Sequence, residues 1–327
     1  MISGDSRCSE KGNLITNVYL IMNMYQRSAI IILVVFLFCI SVVSGAVVIE
    51  PGEDGNGHSW SSDGSTLTIT GGYEDYILSN AISGNTIVHV DVDEVTLDGN
   101  GVPITGIRGN PTLDLVNVHI NEGILQKGEY SYELYGITEC RNIKDSSIVV
   151  QGTGSFVSLI QAYGILELYG NLDDTTITVT GTGGFPLVTG VDSVYGEIFG
   201  GEFTVTAIGE APCAVGVSSV YGEISGGEFI VTSTSTSHST ELRDTPADGV
   251  SFVYGEISGG EFTVTSIGKD SRATGVSSVY GEVSGGEFTV TSENKASSVA
   301  DISDFGKVSG GVFTVNGQYM NFNWNER

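Results

Sequence analysis

Beyond residue 46 the chain alternates. In VYGEVSGGEFTVT, residues 279–291, the apolar Val279, Val283, Phe288 and Val290 interleave with polar or small residues, and Ser284-Gly285-Gly286 interrupts the run. A period of two marks a strand with one buried face, and Ser-Gly-Gly is turn chemistry. No apolar stripe with a helical period follows the first 46 residues. The weight of Val, Thr, Ile, Phe and Tyr in these segments points the same way.

The segment recurs. VYGEIFGGEFTVT, VYGEISGGEFIVT, VYGEISGGEFTVT and VYGEVSGGEFTVT place their tyrosines at Tyr195, Tyr221, Tyr254 and Tyr280. A worn copy, FGKVSGGVFTV, starts at Phe305, LYGNLDDTTITVTGTG carries Tyr169, and RNIKDSSIVVQGTG is an older copy near Asn142. The unit is about 26 residues, with one copy lengthened around STSTSHSTELRDTPAD, residues 233–248. A period in the twenties means stacked units that close their core only against neighbours. The prediction is an all-β, single-stranded parallel β-helix, a solenoid of nine or ten coils with about three short strands per turn. Residues 47–121 form the cap and first coils, residues 122–316 the repeat region, and residues 317–327 a closing cap or tail. The insertion at 233–248 leaves the coil as a loop.

Alternation also assigns faces. Val279 and Val283 point inward, Tyr280 and Glu282 outward, and Gly281 is a small slot; past the corner Phe288 and Val290 point in, Glu287, Thr289 and Thr291 out. Coils lie about 4.8 Å apart, so each slot becomes a column of like residues along the axis.

The first 46 residues read as a leader. Ala29 to Val43 is unbroken apolar sequence after Arg27 and before Ser44-Gly45-Ala46, the layout of a secretory signal peptide over residues 24–46 cleaved before Val47. Residues 1–23 precede Met24 as an upstream extension from a misassigned start. The expected location is extracellular or at the cell surface, with membrane contact only through an uncleaved leader. The net charge of −26, with 13 Lys and Arg against 39 Asp and Glu, argues against nucleic acid as a partner. Outside the leader region the cysteines are Cys140 and Cys213, in different slots, so no disulfide is expected.

Residues 85–120, NTIVHVDVDEVTLDGNGVPITGIRGNPTLDLVNVHI, resemble the opening coils of the pectin-lyase-like right-handed parallel β-helix superfamily, with VTLDGNG, residues 95–101, as the matching element. The branch they most resemble is that of secreted archaeal and bacterial surface repeat proteins. The resemblance implies right-handed coils with Asn at corners. It leaves activity open, because this scaffold carries lyases, hydrolases, adhesins and inert stalks.

Three chemistries are candidates. Asp173 and Asp174, in NLDD, resemble the acidic pairs of polygalacturonase-like hydrolases, but the neighbouring copies do not keep them, and the alternative is a polar corner. Glu202, Glu228, Glu261 and Glu287 form a column that could hold calcium between coils, or could splay into solvent; no cofactor is required. Tyr195, Tyr221, Tyr254 and Tyr280 run beside Glu197, Glu223, Glu256 and Glu282 on the outer face, and flat rings next to carboxylates suit a polysaccharide. Against this, stacked tyrosines stabilise a solenoid without any ligand. Paired threonines such as Thr204/Thr206 and Thr289/Thr291 form a further regular column, of the kind seen on ice-binding faces and on ordinary strands alike. The expected role is a structural or adhesive module that binds polysaccharide or an envelope component. The alternatives are a carbohydrate-active enzyme and a purely architectural envelope element.

Overall fold

A computed structural model describes residues 46–320, apart from 56, 72, 128–130, 155–158, 238–244, 269–270, 294–295, 303–305 and 317, and gives no side-chain placement for 296–302 and 318–320. The leader, the core of the insertion, Phe305 and the last residues therefore lie outside the described part. Within it the chain is a parallel β-solenoid of about nine turns, with coils about 26 residues apart and no helix.

One coil shows the plan. Strand Cys213–Val220 joins a twelve-stranded sheet, Glu223–Ile224 an eleven-stranded sheet of very short strands, and Glu228–Ser235 a ten-stranded sheet. We call these the long, short and threonine sheets. Each strand pairs in parallel with its counterpart on the next coil: Val220 with Val253, Glu223 with Glu256, Phe229 with Phe262. Like therefore stacks on like. At each end one sheet edge carries an antiparallel strand: His58–Trp60 against Thr66–Ile69 on the long sheet at one, and Gln318–Met320 against Val312–Val315 on the threonine sheet at the other. Such pairing covers edges that would otherwise template aggregation.

The inward columns make the core. Val194, Val220, Val253 and Val279 form one, and Ile198, Ile224, Ile257, Val283 and Val308 another; all are buried. The largest is Phe203, Phe229, Phe262, Phe288 and Phe313, whose rings stack at centroid distances of 4.2 to 4.9 Å. Burying each such ring stabilises the fold by about 1.5–3 kcal/mol before stacking is counted.

Two kinds of position need glycine. At the corner, Gly201, Gly227, Gly260, Gly286 and Gly311 hold φ between 91° and 106°, the left-handed region that penalises a Cβ. Earlier coils turn the equivalent corner with Asn117, Asp145 and Asp174, all left-handed at φ between 41° and 51°. Asn and Asp tolerate that conformation better than other side-chain-bearing residues. Beside the tyrosines, a Cβ on Gly222 would stand 1.9 Å from the Gly196 carbonyl oxygen and 2.5 Å from that of Tyr195. The expected small slot at Gly281 is thus a place where one coil's backbone presses on the next.

The insertion is shorter than the sequence pattern suggests. Ser233–Ser235 remain in the threonine sheet and Thr245–Asp248 already belong to the long sheet. Ser233 pairs with Ala207 and Asp248 with Val215 in register. The buried Ser233 hydroxyl donates to the Pro212 carbonyl at 3.1 Å. The ladder bonds and this hydroxyl keep the polar flanks in the coil, where composition alone suggests a loop.

Candidate functional site

The four tyrosines and four glutamates do come together. Tyr195, Tyr221, Tyr254 and Tyr280 stand one above another on the outer face, and with Tyr169 their rings stack at centroid distances of 4.9 to 5.0 Å, tilted by 6° to 11°. They stay 42–48% exposed. Their flat faces, however, are turned to one another along the axis. What the column offers to solvent is ring edges and hydroxyls, not the open faces expected from the sequence.

Glu197, Glu223, Glu256 and Glu282 lie beside them, and each accepts a hydrogen bond from a serine of the following coil. Ser225 donates to Glu197 at 2.7 Å, while Ser258 to Glu223, Ser284 to Glu256 and Ser309 to Glu282 are each at 2.5 Å. Lys307 ends the column, donating to Glu282 at 2.7 Å. The lysine and the Ser309 hydroxyl hold the Glu282 carboxyl below the usual carboxylate range. The serine ladder, which sequence reasoning missed, ties each carboxylate to the next coil.

Its signal was present in the repeats. Serine occupies the slot after Glu-Ile or Glu-Val wherever the preceding coil carries glutamate. Phe199 holds the slot where the preceding coil carries Asn171 instead.

Between the columns runs a shallow groove of about 760 Å³, floored by Gly196, Gly222, Gly255 and Gly281 and lined by Tyr195, the four glutamates, Asn171 and Lys307. Only glycine leaves that floor low. A second, smaller hollow of about 580 Å³ follows the corner glycines beside Glu228, Glu261 and Glu287. Those glutamates and Glu202 are exposed and point outward, in register from coil to coil. Among the described residues no three His, Cys, Asp or Glu side chains gather closely enough to hold a metal ion.

Asp173 and Asp174 do not face a common space. Asp173 is half-buried and ion-pairs with Lys144 of the preceding coil at 3.7 Å, and Asp174 is the exposed corner residue with φ of 41°. The free thiols Cys140 and Cys213 stand apart, each pushed up to about 12, chiefly by burial.

A second acidic patch borders the first tyrosines. Glu139 and Glu167 are register partners on adjacent coils, and the Tyr169 hydroxyl donates to Glu167. That hydrogen bond, with burial, raises the Tyr169 pKa. Burial first, and then Glu167, lifts the Glu139 carboxyl above its ordinary range. Burial lifts the carboxyls of Asp192 and Asp248 above their ordinary range, and Asp248 is only 8% exposed. The Asp248 Oδ1 has no hydrogen-bond partner, nor has the buried Ser277 Oγ.

Comparison of the chain with protein-family models, with curated proteins and with solved structures returns no match.

Proposed function

We propose that the protein is a secreted or surface-displayed structural and adhesive module that binds a neutral polysaccharide along the glycine-floored groove. The observation that carries this reading is the groove itself, a linear channel walled by hydrogen-bonding groups that repeat with every coil. Glutamate oxygens accept along its length, with Tyr195 and Lys307 beside them, a pattern that suits the hydroxyls of a sugar chain. Recognition through ring edges replaces the face stacking that the sequence suggested, because the tyrosine faces are already paired. The charge narrows the ligand: on a chain of net charge −26, a groove with four carboxylates repels uronates unless cations screen them. VTLDGNG, residues 95–101, supports as part of this proposal a kinship with the surface-protein branch of the pectin-lyase-like superfamily. Asn100 in that element has φ of 52° and its amide donates to the Leu78 carbonyl at 3.2 Å, as a corner asparagine should.

Native electrophoresis through gels containing neutral glucans, galactomannan or polygalacturonate tests the proposal. Retardation by a neutral polymer is expected, and it should fall in the double variant Glu223→Ala, Glu256→Ala. Release of oligosaccharide would favour an enzyme on this scaffold, and indifference to every polymer an architectural role.

A further inference from the structure

Phe252 departs from the pattern of its coil. It belongs to an outer column of the long sheet in which Ser219 is its register partner on one side and Ser278 on the other, and Ser193 precedes them. The other three copies of the strand read SSV or DSV here, and only this one reads SFV. The side chain is 39% exposed, so it contributes little to the core. Among the described residues its ring contact is the neighbouring Tyr254, at 6.4 Å between centroids and 20° between planes. The contrast with the tyrosines is physical. Tyr195, Tyr221 and Tyr254 have rings above and below at about one coil spacing, whereas Phe252 has a serine in register above and another below. Serine is too short to cover a phenyl ring, so the faces closed in the tyrosine column stay open here.

We infer that Phe252 is a stacking platform for one sugar ring of a neutral polysaccharide, a subsite on the far side of the tyrosine column from the glutamate groove. The apolar C–H face of a pyranose lies on the exposed phenyl face, and the hydroxyls of Ser219 and Ser278, with the Tyr254 hydroxyl, surround it with polar partners. An anionic sugar is disfavoured by the net charge of −26. The inference rests on the polysaccharide-binding reading and adds to it an exposed ring that lies outside the tyrosine stack.

The decisive variant is Phe252→Ser, which restores the residue that both register partners carry and so leaves the coil as its neighbours already are. Affinity electrophoresis of the full chain against hydroxyethyl cellulose, xyloglucan and galactomannan reads the result. Phe252→Ser is expected to weaken retention by the bound polymer at least tenfold, with Phe252→Trp retaining it and both variants melting like the parent. Retention that survives Phe252→Ser overturns the platform and leaves the groove reading standing. If the parent itself binds none of the three polymers, both fall together.

Discussion

Replacing Phe262 by alanine tests the stacked core where it is most continuous. The ring is 1% exposed and lies between Phe229 and Phe288 at 4.6 and 4.5 Å, tilted by 6° and 5°. A buried Phe→Ala substitution costs about 3–5 kcal/mol, and each stacked pair is worth about 0.5–1.5 kcal/mol beyond its buried area. Two stacks are lost, so the expected cost lies near the upper end, about 4–5 kcal/mol. For a folded unit of this size that lowers Tm by roughly 10 °C. Phe203 is the internal control, because it begins the array, stacks only on Phe229 and has Ile177 as its other register partner. Phe203→Ala should cost about 1 kcal/mol less than Phe262→Ala. Urea unfolding followed by near-ultraviolet circular dichroism measures both, with the slope checked for lost cooperativity. A loss below about 1 kcal/mol for Phe262→Ala, or equal losses at the two sites, would refute the stacked column.

Three further outcomes follow from the ladders. Ser258→Ala removes the donor to Glu223, and denaturant titration should show a loss of about 1 kcal/mol with the coil otherwise intact. Gly222→Ala puts a Cβ 1.9 Å from the Gly196 carbonyl oxygen, so Tm should fall steeply by differential scanning calorimetry, in keeping with overpacking costs of about 1–3 kcal/mol. Asp248→Asn addresses the buried carboxyl. Its folded pKa is raised above the unfolded value, so the acid favours folding below the unfolded pKa, and that contribution is lost as pH rises through the folded pKa. The asparagine variant should therefore be the more stable at pH 7, and its advantage should shrink as the pH falls toward 4. An advantage that is unchanged or grows on acidification contradicts the assignment.

Much of this architecture was legible in thirteen-residue copies, because a repeat that returns identical residues to identical slots reports both its period and its faces. Val279, Val283, Phe288 and Val290 point inward and Tyr280 and Glu282 outward as the alternation requires. What one coil's sequence conceals is contact between coils. Whether Tyr221 shows its face or its edge depends on the rings of Tyr195 and Tyr254, which lie in other copies. The partner of Glu223 is likewise a serine 35 residues away, and the pairing emerges only when each coil is read against its predecessor. The insertion misled for a related reason: Ser233 and Asp248 look like loop residues by composition, yet their ladder partners hold them in strands. The platform at Phe252 is visible in the sequence as one letter out of pattern, but its open faces depend on the serines above and below it.

The most direct test of the binding account is calorimetric titration of the protein with neutral oligosaccharides of increasing length. The four glutamates of the groove occupy four successive coils, about 14 Å from first to last at the parallel-strand spacing, and offer the same group at each step. Affinity should rise with each added sugar until that span is filled and then level off. A monosaccharide that binds as tightly as the longest chain, or a series that shows no heat at all, would contradict it.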